Sequence, residues 1–145
     1  MDAADASTPP YRWQFDHINL RAGDSPGLQQ LFGQILGLQP GYRPPFPFPG
    51  DWLYRDGQAW LHLVRGTGQG EQVQFGHIAF RTDEPAPRLL ARVRASGLHH
   101  ELRKIPQENC AQIFVRLPGL VVELAAPLDA GTAAGCIADH KEHFA

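Results

Sequence analysis

The feature that most restricts how this chain can fold is an internal repeat. Phe15-Asp16-His17-Ile18-Asn19-Leu20-Arg21 and Phe75-Gly76-His77-Ile78-Ala79-Phe80-Arg81 agree at Phe, His, Ile and Arg, and the sixth position is apolar in both. The segments lie 60 residues apart, counted from His17 to His77. The same offset carries Gly37-Leu38 onto Gly97-Leu98 and Arg43 onto Arg103. After one inserted residue, an offset of 61 sets Trp60-Leu61-His62-Leu63 on Val121-Val122-Glu123-Leu124. One matched heptapeptide arises by chance, but a match that keeps register through each half does not. The chain is therefore expected to fold as two copies of one module.

Each copy reads as strand, helix and three further strands. Residues 15–21 alternate and are rich in β-formers, so they predict a strand. Residues 25–36 place Leu28, Leu31, Phe32, Ile35 and Leu36 at helical spacing, with Ser25 as N-cap and Pro26 at the first helical position. Gly37 ends that helix as a left-handed cap residue. A short strand at 38–43 leads into the loop Pro44-Pro45-Phe46-Pro47-Phe48-Pro49-Gly50. Strands at 51–55 and 59–64 close the copy, joined by Asp56-Gly57, a strong hairpin signal. The second copy gives a strand at 75–82, a helix at 85–96 with Leu89, Leu90 and Val93 inward, a cap at Gly97, and strands at 99–105, 111–117 and 120–125. The expected layout is a flexible stretch at 1–11, modules at 12–65 and 75–127, a linker at 66–74 and a tail at 128–145.

Side chains on a strand alternate between faces. On the first strand Ile18 and Leu20 point one way, and Phe15, His17, Asn19 and Arg21 the other. On the fourth, Leu61 and Leu63 oppose Trp60, His62 and Val64. The aliphatic faces are expected to meet the helices, so the opposite faces line a cavity or a partner sheet. A polar group on a buried sheet face needs a partner, because stranding it costs roughly 1–3 kcal/mol. Glu123 is the sole charge in Leu120-Val121-Val122-Glu123-Leu124-Ala125-Ala126. Each residue has a plain alternative: a hydrogen-bonded sheet histidine, or, for Glu123, an ion pair with Arg21 or Arg81. The repeat tips the balance, because it puts His17 and His77 at equivalent positions, and His62 and Glu123 likewise. A pseudo-two-fold axis between the modules would bring all four to one divalent metal.

His99, His100, His140 and His143 read as surface residues, and Gly66-x-Gly68-x-Gly70 reads as linker chemistry because it does not join a strand to a helix. The net charge is −2 and no basic stripe runs along the chain, which excludes a nucleic-acid footprint. No apolar run is long enough to cross a bilayer. The acidic start, Met1-Asp2-Ala3-Ala4-Asp5, has no apolar core, so no signal peptide is expected. Cys110 and Cys136 are widely spaced and predict two reduced thiols in a cytoplasmic protein.

Across residues 13–127 the chain resembles the vicinal oxygen chelate superfamily, which includes glyoxalase I, extradiol dioxygenases, methylmalonyl-CoA epimerase, and fosfomycin- and bleomycin-resistance proteins. The resemblance rests on Asp16-His17-Ile18, Leu31-Phe32-x-x-Ile35-Leu36-Gly37-Leu38, Gly76-His77-Ile78-Ala79-Phe80 and Pro118-Gly119-Leu120-Val121-Val122-Glu123-Leu124. It implies an α+β fold, two βαβββ modules forming a cup-shaped mixed sheet. It also implies one metal ligand from the first and fourth strands of each module, hence His17, His62, His77 and Glu123. A homodimer is the usual assembly in such proteins, with modules paired within or between chains. The chain departs from glyoxalase I at His62, where a carboxylate would move the proton. That leaves His17, His77 and Glu123 as the two-histidine, one-carboxylate set favoured by non-haem Fe(II) oxygenases.

The leading expectation is thus a metal-dependent enzyme whose small substrate chelates the metal through adjacent oxygens, as in ring cleavage of catechols. Fe2+ is the favoured ion, with Mn2+, Ni2+ or Zn2+ as alternatives, and His62 is the acid–base candidate. A glyoxalase-like lyase or epimerase, and a binding protein without turnover, are the competing readings. Substrate contacts are assigned to Phe46 and Phe48 of the proline-rich loop, to Trp52 and Tyr54, and to Arg21 and Arg81. Those two phenylalanines serve either as an apolar lid or as part of a stiff connection.

Overall fold

The structure is a computed structural model that describes residues 11–66 and 71–129. The expected tail histidines His140 and His143, and Cys136, lie outside the described residues. Strand β1 (Trp13–Ala22) is followed by helix α1, an α-helical turn (Pro26–Leu28) that runs on as a π-helical stretch (Gln29–Ile35). Strands β2 (Gln39–Gly41), β3 (Gly50–Arg55) and β4 (Gln58–Arg65) complete the first module. The second has β5 (Val73–Thr82), α2 (Ala86–Ser96), β6 (His99–Lys104), β7 (Cys110–Leu117) and β8 (Leu120–Pro127).

All eight strands form one mixed sheet in the order β2-β3-β4-β1-β5-β8-β7-β6. The two modules join inside a single chain through the antiparallel pair β1–β5. Its register is symmetric: Ile18 faces Ile78, His17 faces Ala79 and Asn19 faces His77. The outer ladders follow the same symmetry. Asn19 pairs with His62 in the parallel β1–β4 ladder, and Ala79 with Glu123 in the parallel β5–β8 ladder. The pseudo-two-fold axis predicted by the repeat therefore passes between Ile18 and Ile78.

Local chemistry explains the turns. Asp56 and Gly57 both have positive φ, 54° and 78°, as a tight two-residue hairpin loop requires. Gly37 and Gly97 both take φ 76° after the helices. Ser25 makes no side-chain cap bond.

The core is in two parts. Under α2, Leu89 and Val93 pack with Ala111, Ile113, Val115 and Ala126. At the floor of the cup, Trp52, Tyr54 and Ala59 of the first module meet Ile105, Cys110 and Ala125 of the second. A hydrogen bond from the Tyr42 hydroxyl to Glu108, 2.8 Å, joins the same two modules.

Three sequence expectations are corrected. No residue of α1 is buried, and Ile35 is 74% exposed, so the apolar stripe on that helix is not a core face. Trp60 sits at a register break opposite Leu53 and Tyr54, is 39% exposed and does not line the cavity described below. Cys110 is disulfide-bonded, which overturns the reduced-thiol expectation and removes the thiol argument for a cytoplasmic location. Among the described residues no helix is long and apolar enough to cross a membrane.

Candidate metal centre

The cup-facing histidines of β1 and β5 sit beside matched bulges. Between Phe15–Phe80 and His17–Ala79 the register shifts, leaving Asp16 as the extra residue of β1. Between Asn19–His77 and Leu20–Phe75 it shifts again, leaving Gly76 as the extra residue of β5. Asp16 and Gly76 are repeat equivalents, so the bulge belongs to the module. A bulge re-aims neighbouring side chains. Here it brings the adjacent Asp16 and His17 into contact, which strict alternation forbids. At Gly76 a Cβ would fall 2.0 Å from the Asn19 Oδ1, so the side-chain amide of Asn19 takes the space that a larger residue would need.

His17, His77 and Glu123 converge. Each offers one ligand atom, and these lie within 4.8 Å of one another. Glu123 Oε1 is 3.0 Å from His77 Nε2 and 3.4 Å from His17 Nε2. Ligands held about 2.1 Å from one ion would sit roughly 3.0–3.4 Å apart at octahedral or tetrahedral angles, so the spacing suits a shared divalent cation. The second carboxylate oxygen accepts a hydrogen bond from Gln112 Nε2 at 3.2 Å. His17 and Glu123 are each 1% exposed.

The tautomer of His17 also fits a ligand. Its Nδ1 donates to Asp16 Oδ2 at 2.5 Å, and Asp16 Oδ1 accepts from Arg81 Nη1 at 2.6 Å. A carboxylate on one ring nitrogen orients the other toward a metal. That other atom, Nε2, is fully buried and makes no hydrogen bond. Its neighbouring acceptor, Glu123 Oε1 at 3.4 Å, is too poorly placed for a hydrogen bond, and a buried polar atom left so costs free energy unless a further group completes it. Burial alone would pull the His17 pKa down, but the charges of Glu123 and Asp16 reverse this and lift it to about 9. Burial would likewise raise the Glu123 carboxyl, yet His17 and His77 hold it well below the usual carboxylate range. The residues present therefore fit a divalent metal.

His62 occupies a different place. Its ring is sandwiched face to face between His17, 3.3 Å between centroids, and Trp52, 3.7 Å. Its ligand atoms group with Asp16 and His17, not with His77 and Glu123. Above the metal-type residues lies a cavity of about 520 Å³, within the range of small-molecule sites. Phe46, Phe48, Trp52, His62, His77 and Arg21 all line it, as expected. Two expected contacts are elsewhere. Tyr54 is a core residue whose hydroxyl donates to the Tyr42 carbonyl oxygen at 2.6 Å, and Arg81 is occupied by Asp16. The Pro-Phe loop is pinned: Arg43 donates to the Phe48 carbonyl oxygen at 2.8 Å and lies over both phenyl rings.

Sequence reasoning missed Asp16, Gln112 and Phe114, whose ring stands edge-on to His77. Only Asp16 left a trace, as the polar residue that breaks alternation where its repeat equivalent is glycine.

No protein-family model matches the chain, and no curated protein sequence matches it. Solved structures do. Methylmalonyl-CoA epimerase from Mycobacterium tuberculosis superposes with a TM-score of 0.61 at 16% identity, covering 82% of this chain and 91% of that one. A Mn(II)-bound glyoxalase from Novosphingobium aromaticivorans gives 0.59 at 17% identity, covering 78% and 38%. An extradiol ring-cleaving dioxygenase from B. fuscum gives 0.60 at 18% identity, covering 79% and 32%. This chain thus spans nearly all of the epimerase and about a third of the other two. At these identities the likeness establishes the architecture alone: the chain has the cup-shaped glyoxalase/dioxygenase-like fold that these three proteins share.

Proposed function

We propose that this protein is a metal-dependent vicinal oxygen chelate enzyme, acting on a small substrate in the cup above His17, His77 and Glu123. The observation that carries the reading is the trio itself: two imidazoles and a carboxylate within bonding range of one point, with the buried His17 Nε2 lacking a hydrogen bond. A divalent ion held there would supply Lewis acidity to two adjacent substrate oxygens. The chain's own part is to fix the ligands. Arg81 and Asp16 hold His17, Gln112 holds Glu123, and Trp52 stacks on His62 beside the cavity. Phe46 and Phe48 give the cavity an apolar wall that limits water access.

Within that class the ligand set favours a ring-cleaving dioxygenase, because two histidines and one carboxylate suit Fe(II) chemistry with open positions. His62, an imidazole on the cavity wall, is then the acid–base group. A second reading, an epimerase or glyoxalase-like lyase, has support of its own, since the epimerase superposes over nearly its whole length. Oxygen uptake separates the two. Fe(II)-loaded protein given a panel of catechols should consume oxygen, and His62→Glu should bind metal but lose that uptake. Isomerisation of a hemithioacetal, or deuterium exchange beside a thioester, with no oxygen consumed would favour the lyase or epimerase. We also propose that two copies pair as a homodimer, supported by the uncovered apolar residues Leu31 and Ile35 of α1 and Leu36 just after it.

A further inference from the structure

The cavity is far more basic than the chain. Overall the protein is slightly acidic, with a net charge of −2, yet five cations line this one cavity: Arg21, Arg43, Arg103, Lys104 and Arg116. The single carboxylate among the lining residues, Glu123, is already engaged by His77 and Gln112. Three of the cations are occupied. Arg103 and Arg116 both reach Glu101, at 2.8 and 3.4 Å, and Arg43 holds the Phe48 carbonyl. Arg21 and Lys104 make no hydrogen bond or ion pair within the described residues.

The repeat shows how Arg21 comes to be uncommitted. Its equivalent in the second module is Arg81, which is spent on Asp16. The residue equivalent to Asp16 is Gly76, so the acid that would bind Arg21 is absent. Gly76 lies in the cavity wall beside the Asn19 amide, which a larger side chain there would have to displace. The two copies therefore differ in one respect that matters for binding: one arginine braces a ligand, while the other is left at the cavity.

We propose that Arg21 and Lys104 bind an anionic group of the substrate, a carboxylate or phosphate, carried on an apolar body that lies along Phe46, Phe48, Trp52 and Phe114. This deepens the reading of the cavity as the substrate site and rests on it. Arg21 is four residues beyond His17 on β1, about 13 Å of extended strand. An occupant that reaches both ends is thus longer than a bare anion. Cations that share one cavity with apolar walls focus the field and are screened weakly.

The test uses metal-free protein, so that no carboxylate is drawn to an ion. Calorimetric titration with 4-phenylbutyrate and its neutral amide should show the acid binding at least tenfold tighter at low salt. Phenyl phosphate, compared with phenylbutyrate, tells a phosphate ester from a carboxylic acid as the preferred anion. In the Arg21→Gln/Lys104→Gln double variant, both residues being at the cavity surface, the preference for acid over amide should fall below about twofold. Equal binding of acid and amide to the parent protein would overturn the proposal, as would an unchanged preference in the double variant. Metal titration of the same variant should match the parent, so failure of the anion site and failure of the metal reading are seen separately.

Discussion

Helix α2 buries Leu89 and Val93 against the sheet, and its Arg92 donates to the fully buried Glu84 in the loop before it, at 2.8 and 3.0 Å. Helix α1, its repeat equivalent, buries nothing, and Asp24 stands where Glu84 would be. On the cup side the contrast recurs. Asp16 and Arg81 form a buried ion pair behind a histidine, whereas Gly76 and Arg21 form none. The two modules share a strand register, and with it the metal trio, but they have divided the other tasks. The second module holds its helix and supplies the arginine of the brace; the first supplies the aspartate and leaves a helix and an arginine uncovered. A repeat dictates where ligands meet, because that depends on backbone register. It does not dictate packing, which depends on each side chain.

The largest test of that division compares Arg81 with Arg21. Arg81→Ala removes the counter-charge of the buried Asp16, and breaking a buried pair costs about 3–5 kcal/mol. Arg21→Ala removes no contact within the described residues and should stay within about 0.5 kcal/mol of the parent. Urea unfolding of both variants measures the gap. Equal losses would mean that the two arginines are not differently employed.

The helices give a smaller contrast that can be sharpened by assembly state. Leu89→Ala should cost about 2–5 kcal/mol, as for other buried leucines. Ile35→Ala should change the unfolding free energy of the isolated chain little, since the residue is 74% exposed. If α1 covers a second copy, light scattering should give a dimer for the parent and a monomer for Ile35→Glu. A monomeric parent would remove the proposed homodimer and leave the metal site untouched, because both modules of the cup belong to one chain.

How much of this was readable in the sequence follows from the same distinction. The alternation around His17 and His77, the positive-φ glycines after the helices and the matched offsets fixed the strands and their pairing, and so placed His17, His77 and Glu123 together. Asp16 was invisible because a bulge suspends the two-residue period that excluded it from the cup. Tyr54 looked like a ligand contact, but whether an aromatic ring faces core or cavity depends on how the sheet edges curl together. Leu31 and Ile35 looked buried because spacing at i, i+3 and i+4 presumes an α-helix. The backbone here widens to π-helical turns, as in the bond from Leu36 N–H to the Leu31 carbonyl, 2.9 Å.

The central claim is that the trio binds one divalent metal, and calorimetric titration of the metal-free chain with Mn2+ addresses it most directly. The parent should bind one ion per chain, and Glu123→Gln, which keeps the shape but removes the charge, should weaken binding by at least tenfold. A parent that binds no ion, or a Glu123→Gln variant that binds as tightly as the parent, would contradict the account.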